Sequence, residues 1–277
     1  MSDGYDVRGR VWPPTHARPA CTILYLHGIQ SHGGWFEWSA SVLARSGCPV
    51  VLPDRRGSGL NSVARGDTPG ANRWLADLDE LSTWATAEFQ TAVLALVGVS
   101  WGGKLALAYA TRRAARVRHL LLIAPGLFPA VDVGWLARLR IARAAWSDPQ
   151  RWFEIPLNDP ALFTDNPVGQ AFIAADPLKL THATARFFYH STRLDWHLRR
   201  AARGTLAAST TLLLAGRERI VRNTPLRAWL TRVESSPPTT RDFPAASHTI
   251  EFEADVHDFE QALRAWSAGL PEAGTPV

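Results

Sequence analysis

The chain has 277 residues, 46 % hydrophobic and 20 % charged, with a formal charge of +5, the make-up of a soluble α/β domain with one large core. No apolar run approaches the ~20 residues of a membrane span, and the N-terminal MSDGYDVRGRVWPP lacks the apolar centre of a signal peptide. The cationic excess is nearly all arginine, with no basic block and no base-stacking motif. Integral membrane association and nucleic-acid binding are therefore set aside, and a cytoplasmic location is expected. The two cysteines, Cys21 and Cys48, form neither a disulfide framework nor a metal site and read as buried free thiols.

In chain order, residues 4–12 alternate in polarity and stop at Pro13-Pro14, which predicts an edge strand. CTILYL at 21–26 reads as a buried strand, followed by the loop HGIQSHGG, a helix over 35–45 and a second buried strand, PVVLP, at 49–53. A polar turn, Asp54-Arg55-Arg56-Gly57-Ser58-Gly59, opens from it. Trp74, Leu75, Leu78, Leu81, Trp84 and Phe89 recur at helical spacing over 71–89. The apolar run 93–99 then enters Gly98-Val99-Ser100-Trp101-Gly102 and a helix-like run of Ala, Leu and Lys. Residues 119–124 form another apolar strand. Strands alternating with helices predict a parallel sheet covered on both faces.

Residues 127–205 break this rhythm. They contain no convincing buried strand, only short amphipathic pieces and many aromatics, among them Trp135, Trp146, Trp152, Phe163, Phe187 and Trp196. The segment reads as a helical cap inserted between the core segments 1–126 and 206–277, with its aromatics buried over the carboxyl end of the sheet. The alternation resumes with a strand at 210–215, a helix at 225–233, a weak strand at 240–243 and a last helix at 255–266. The tail, GLPEAGTPV, reads as frayed.

Strand, G-x-S-x-G and helix are the context of a nucleophile elbow, which lifts Ser100 Oγ to the strand's carboxyl end beside the positive end of a helix. A serine hydroxyl needs a base, and the base needs an orienting carboxylate. Such groups lie at the carboxyl ends of strands. After the insertion, Glu218 and His248 occupy such places, in the order Ser100, Glu218, His248. Asp132, past the strand ending at Ala124, is the rival acid. An oxyanion requires two N–H donors: Trp101 is expected to supply one, and Ile29, with Gln30 second, the other. His27 is assigned a structural role in fixing that loop.

These stretches resemble the α/β-hydrolase superfamily, in particular its monoacylglycerol lipase and lysophospholipase branch. YLHGIQSHGGWFEW is similar to the branch's oxyanion loop, PDRRGSGLN to its Asp-x-Arg-Gly-x-Gly turn, GVSWGG to the elbow, LLLAGRERIVRN to the acid segment and SHTIEFE to the histidine segment. Ser58 stands where His is usual, and Glu218 where Asp is common. The resemblance implies an α/β fold with about eight mostly parallel strands, helices on both faces and a helical cap. It also implies a serine hydrolase with Ser100, Glu218 and His248 as nucleophile, acid and base. No metal or organic cofactor is implied. The expected partner is a small-molecule ester with an apolar part. Two alternatives are an amide or peptide hydrolase of the proline iminopeptidase type, which needs cap carboxylates such as Asp132, Glu154, Asp159, Asp165 or Asp176 to hold an amine, and a non-catalytic ligand-binding module.

Overall fold

The computed structural model describes residues 1–15 and 19–271; most of the tail expected to fray therefore lies outside the described residues. In chain order the first elements are β1 (Gly9–Trp12), β2 (Cys21–Leu26), α1 (Glu37–Ala44), β3 (Val50–Pro53), α2 (Ala71–Glu88), β4 (Val93–Val99), α3 (Trp101–Arg112) and β5 (Val117–Ile123). Then come α4 (Trp135–Ser147), β6 (Trp152–Glu154), α5 (Pro167–Ala175), β7 (His182–Thr184) and α6 (Ala185–Arg199). The chain ends with β8 (Ser209–Ala215), α7 (Asn223–Val233), β9 (Thr239–Phe243) and α8 (His257–Ala268).

Seven strands form the main sheet in the order β1-β3-β2-β4-β5-β8-β9. Every neighbouring pair is parallel except β1 with β3. The count among the described residues is one short of the roughly eight that the resemblance implies. The N-terminal stretch supplies a single short strand, β1, and the paired prolines after it end the ladder for want of an N–H donor. All residues of β2 and β4 are buried, as expected of parallel strands covered on both faces. α1 packs against α8, and α2 against α3. Cys21 and Cys48 are buried free thiols with Sγ atoms 2.7 Å apart. No helix among the described residues is long and apolar enough to cross a membrane.

The segment between β5 and β8 is mainly helical, but it also contains a two-stranded antiparallel ribbon, β6 with β7, paired Trp152↔Thr184 to Glu154↔His182. Its strands are three residues long and β6 is half exposed, so no apolar run betrays it in the sequence. The burial expected for the aromatics holds only in part. Phe163 and Phe187 are buried, whereas Trp135 is 70 % and Trp146 93 % exposed. Of α4, only Ile141 and Ala144 are buried, because this helix packs chiefly on α6 and turns its remaining faces to solvent.

Candidate active site

The carboxyl ends of the parallel strands converge on Ser100, which stands between β4 and α3 with φ 52° and ψ −123°. This positive φ is costly for a residue with a side chain and persists only where the surroundings impose it. The Ser100 N–H donates to the Ile123 carbonyl at 3.0 Å, and the Ser100 carbonyl accepts from the Gly126 N–H at 2.7 Å. The elbow's glycines allow the close approach. A Cβ on Gly98 would lie 2.6 Å from Gly103 Cα, and one on Gly102 would lie 2.2 Å from the Leu26 carbonyl oxygen.

His248 reaches Ser100 from the loop after β9, and Glu218 reaches His248 from the turn after β8. Ser100 Oγ lies 2.8 Å from His248 Nε2, and His248 Nδ1 lies 2.9 and 2.8 Å from the two Glu218 oxygens. The carboxylate requires Nδ1 to be the donor, which leaves Nε2 free to accept the Ser100 hydroxyl proton. Glu218 Oε1 also accepts from the Ile220 and Val221 N–H groups at 2.8 and 3.2 Å. Burial raises its pKa, but the opposing charge and hydrogen bond of His248 and these two amides outweigh it, so Glu218 titrates below the usual carboxylate value. Asp132 is not part of this chain. Its carboxylate is 42 % exposed and pairs with Arg138 at 2.6 Å.

The loop after β2 lies directly against the elbow. A Cβ on Gly28 would be 3.4 Å from Ser100 Cβ. The N–H groups of Ile29, Gln30 and Trp101 have no acceptor among the described residues. Ile29 and Trp101 share the walls of one cavity with Ser100, while Gln30 lies in a small crevice beside Ser100 and His248. His27 pins the loop: its Nδ1–H donates to the Gly28 carbonyl and its Nε2 accepts from the Arg55 N–H, both at 2.8 Å. Burial, helped by the Arg55 charge, holds its pKa well below the ordinary histidine value, so the ring is neutral. Ser58 Oγ is 3.1 Å from the same Nε2. Asp54 steadies the loop from below, accepting from the Gly33 N–H at 2.6 Å and the Leu60 N–H at 2.8 Å.

The cavity over Ser100 measures about 690 Å³. Apolar walls come from Pro129, Ile141, Leu157, Phe188, Ile220 and Val221, and a polar end from Lys104, Ser191 and Asp195. Lys104 Nζ donates to Ser191 Oγ at 2.9 Å and lies 3.0 Å from Asp195 Oδ1. Trp101 Nε1 donates to the same hydroxyl at 2.9 Å. Burial lifts the Asp195 pKa against the pull of Lys104. Sequence reasoning missed this cluster. Its one signal was a lysine in the otherwise apolar face of α3, four residues after Ser100.

Fold and site together have the form of an α/β-hydrolase. The profile of the hydrolase family described as "Serine aminopeptidase, S33" matches residues 17–255, and the chain belongs to that family. Among curated relatives, phospholipase YtpA of Bacillus subtilis is 23 % identical over 260 residues, covering 93 % of this chain and 98 % of that protein. An uncharacterized abhydrolase domain-containing protein of Dictyostelium discoideum is 30 % identical over 135 residues, 48 % of this chain, and the match spans only 14 % of that protein's length. Among solved structures, a monoacylglycerol lipase of Paleococcus ferrophilus superposes with a TM-score of 0.80 at 19 % identity, covering 95 % of this chain and 98 % of that one.

Proposed function

We propose that the protein is a serine hydrolase of carboxylic esters with an apolar acyl or alcohol part, working through an acyl-enzyme. The observation that carries this reading is the hydrogen-bonded chain Ser100, His248, Glu218 at the wall of a large, mostly apolar cavity. His248 Nε2 takes the Ser100 proton as Oγ attacks the ester carbonyl. Glu218 stabilises the imidazolium that forms. The Trp101 N–H, with that of Ile29 or Gln30, receives the oxyanion. His248 then protonates the leaving alcohol and activates the water that releases the acid. The segment between β5 and β8 acts as the cap over the substrate, and a cytoplasmic location fits a chain with two unpaired cysteines.

The family's aminopeptidase description favours an amide reading, which needs a cap carboxylate free to receive an amine. The five candidates are already engaged. Asp132 pairs with Arg138, Glu154 accepts from Asn158, Asp159 caps the Ala161 N–H, Asp165 binds Arg219, and Asp176 binds His32 and Trp35. Asp195 in the cavity wall is paired with Lys104 as well, and the ester reading is therefore preferred.

The test is a panel of p-nitrophenyl esters of increasing chain length and aminoacyl-nitroanilides, with Ser100→Ala in parallel. Ester turnover that vanishes in Ser100→Ala is expected, and its optimum sizes the acyl pocket. Anilide turnover without ester turnover would replace ester by amide. No turnover, with no labelling of Ser100 by a fluorophosphonate, would leave a binding module.

A further inference from the structure

Arg55 follows the end of β3 and is partly buried, yet no carboxylate among the described residues forms a salt bridge with it. Its guanidinium Nη1 donates to the Gly28 carbonyl and Nη2 to the Ile29 carbonyl, both at 3.0 Å. The group lies 4.6 Å from the centre of the Trp101 ring and 5.4 Å from that of Phe187. Its Nε, also buried, has no partner among the described residues. Burial draws its pKa down to about 9 against the opposing pull of Asp54. A largely desolvated cation without a paired carboxylate is unfavourable on its own.

The peptide units that Arg55 holds explain its place. A peptide plane carries its C=O and the following N–H in opposite directions. The Gly28 carbonyl belongs to the same plane as the Ile29 N–H, and the Ile29 carbonyl to the same plane as the Gln30 N–H. A cation on both carbonyls fixes both planes and leaves their N–H ends directed away from the guanidinium. Its aromatic stack on Trp101 braces the residue that supplies the other expected donor, and its backbone N–H holds His27 in the same loop.

We infer that Arg55 is a positioning residue for the oxyanion site: its guanidinium grips the Gly28 and Ile29 carbonyls and so aims the Ile29 and Gln30 N–H groups at the oxyanion formed at Ser100. This rests on the hydrolase reading above. The positive charge also lies behind the loop, where it strengthens both amide dipoles toward a developing negative charge.

Two variants test it. Arg55→Met keeps the apolar stem and removes fork and charge; Arg55→Lys keeps the charge and loses the paired geometry. Thermal melts select folded protein. Steady-state kinetics on the best ester are then compared with inhibition by a trifluoromethyl ketone, whose adduct carries an oxyanion. In Arg55→Met, kcat is expected to fall about 10- to 100-fold, somewhat less than or equal to the loss of a direct donor. KM should change little, ketone binding should weaken in step with kcat/KM, and Arg55→Lys should recover part of the loss. A folded Arg55→Met with unchanged kcat, or with a change in KM alone, would overturn the inference. So would a crystal structure of that variant in which the Gly28–Ile29 and Ile29–Gln30 peptides keep their orientation. If the wild type neither turns over esters nor reacts with a fluorophosphonate, the hydrolase reading fails by itself, and that crystal structure still decides whether Arg55 sets the loop.

Discussion

Glu218 meets His248 because its own turn folds the longer side chain back. The Ile220 and Val221 N–H groups hold one carboxylate oxygen while His248 Nδ1 takes both. The extra methylene, relative to the aspartate more common at this place, is thus absorbed locally. Glu218→Gln keeps the shape but presents the wrong group to Nδ1, and kcat for ester hydrolysis is expected to fall about 10³- to 10⁴-fold. Asp132→Asn should leave kcat within about twofold, since Asp132 spends its charge on exposed Arg138. The two assays run side by side decide between the acids; loss of activity in Asp132→Asn alone would reverse the assignment. The sequence left this choice open because both carboxylates follow the end of a strand. Which one faces His248 depends on the path of each loop in space.

At the scale of elements, the approach of α3 to β2 and β4 sets the elbow. The Leu26 carbonyl leaves no room for a Cβ at Gly102, and Gly102→Ala is expected to cost about 2–3 kcal/mol in urea denaturation. A second junction ties α3 to α6 through Lys104, Ser191 and Asp195. Lys104→Met would strand the largely buried Asp195 carboxylate and is expected to destabilise by about 3 kcal/mol, with Asp195→Leu in the same chain restoring most of the loss. A Lys104→Met protein as stable as wild type would show that the pair carries no structural load. The strands and helices of the core were legible because their apolar runs and helical spacing are strong. The ribbon of β6 and β7 was not, since short half-exposed strands leave no periodic signature. Hydrophobicity alone predicts burial for the aromatics between β5 and β8, yet Trp135 and Trp146 of α4 stand in solvent.

For the molecule as a whole, Glu251 links the segment after His248 to α1, accepting from the Ser39 N–H at 2.9 Å and the Ser39 hydroxyl at 2.5 Å. Burial raises its pKa to about 7 in spite of these hydrogen bonds. The folded protein therefore keeps a proton that the unfolded chain releases near the ordinary value of 4.5. The resulting stability is present in full below that value and is lost as the pH rises through about 7, by up to ~3 kcal/mol. Glu251→Gln, which cannot ionise, should reduce the dependence of the melting temperature over this interval, leaving the part due to Glu234, whose pKa burial also raises to about 7; an unchanged slope would remove Glu251 as a source. The sequence by itself determined the alternating core, the elbow and the three residue types needed around it, because local periodicity, glycine spacing and chain order are written along one dimension. Only the tertiary structure decided that Glu218 rather than Asp132 faces His248, that Lys104 and Asp195 close one end of the cavity, and that the Arg55 guanidinium grips the Gly28 and Ile29 carbonyls. Each depends on groups from separate loops and helices meeting in space, and on the desolvation of charges that a linear pattern does not record.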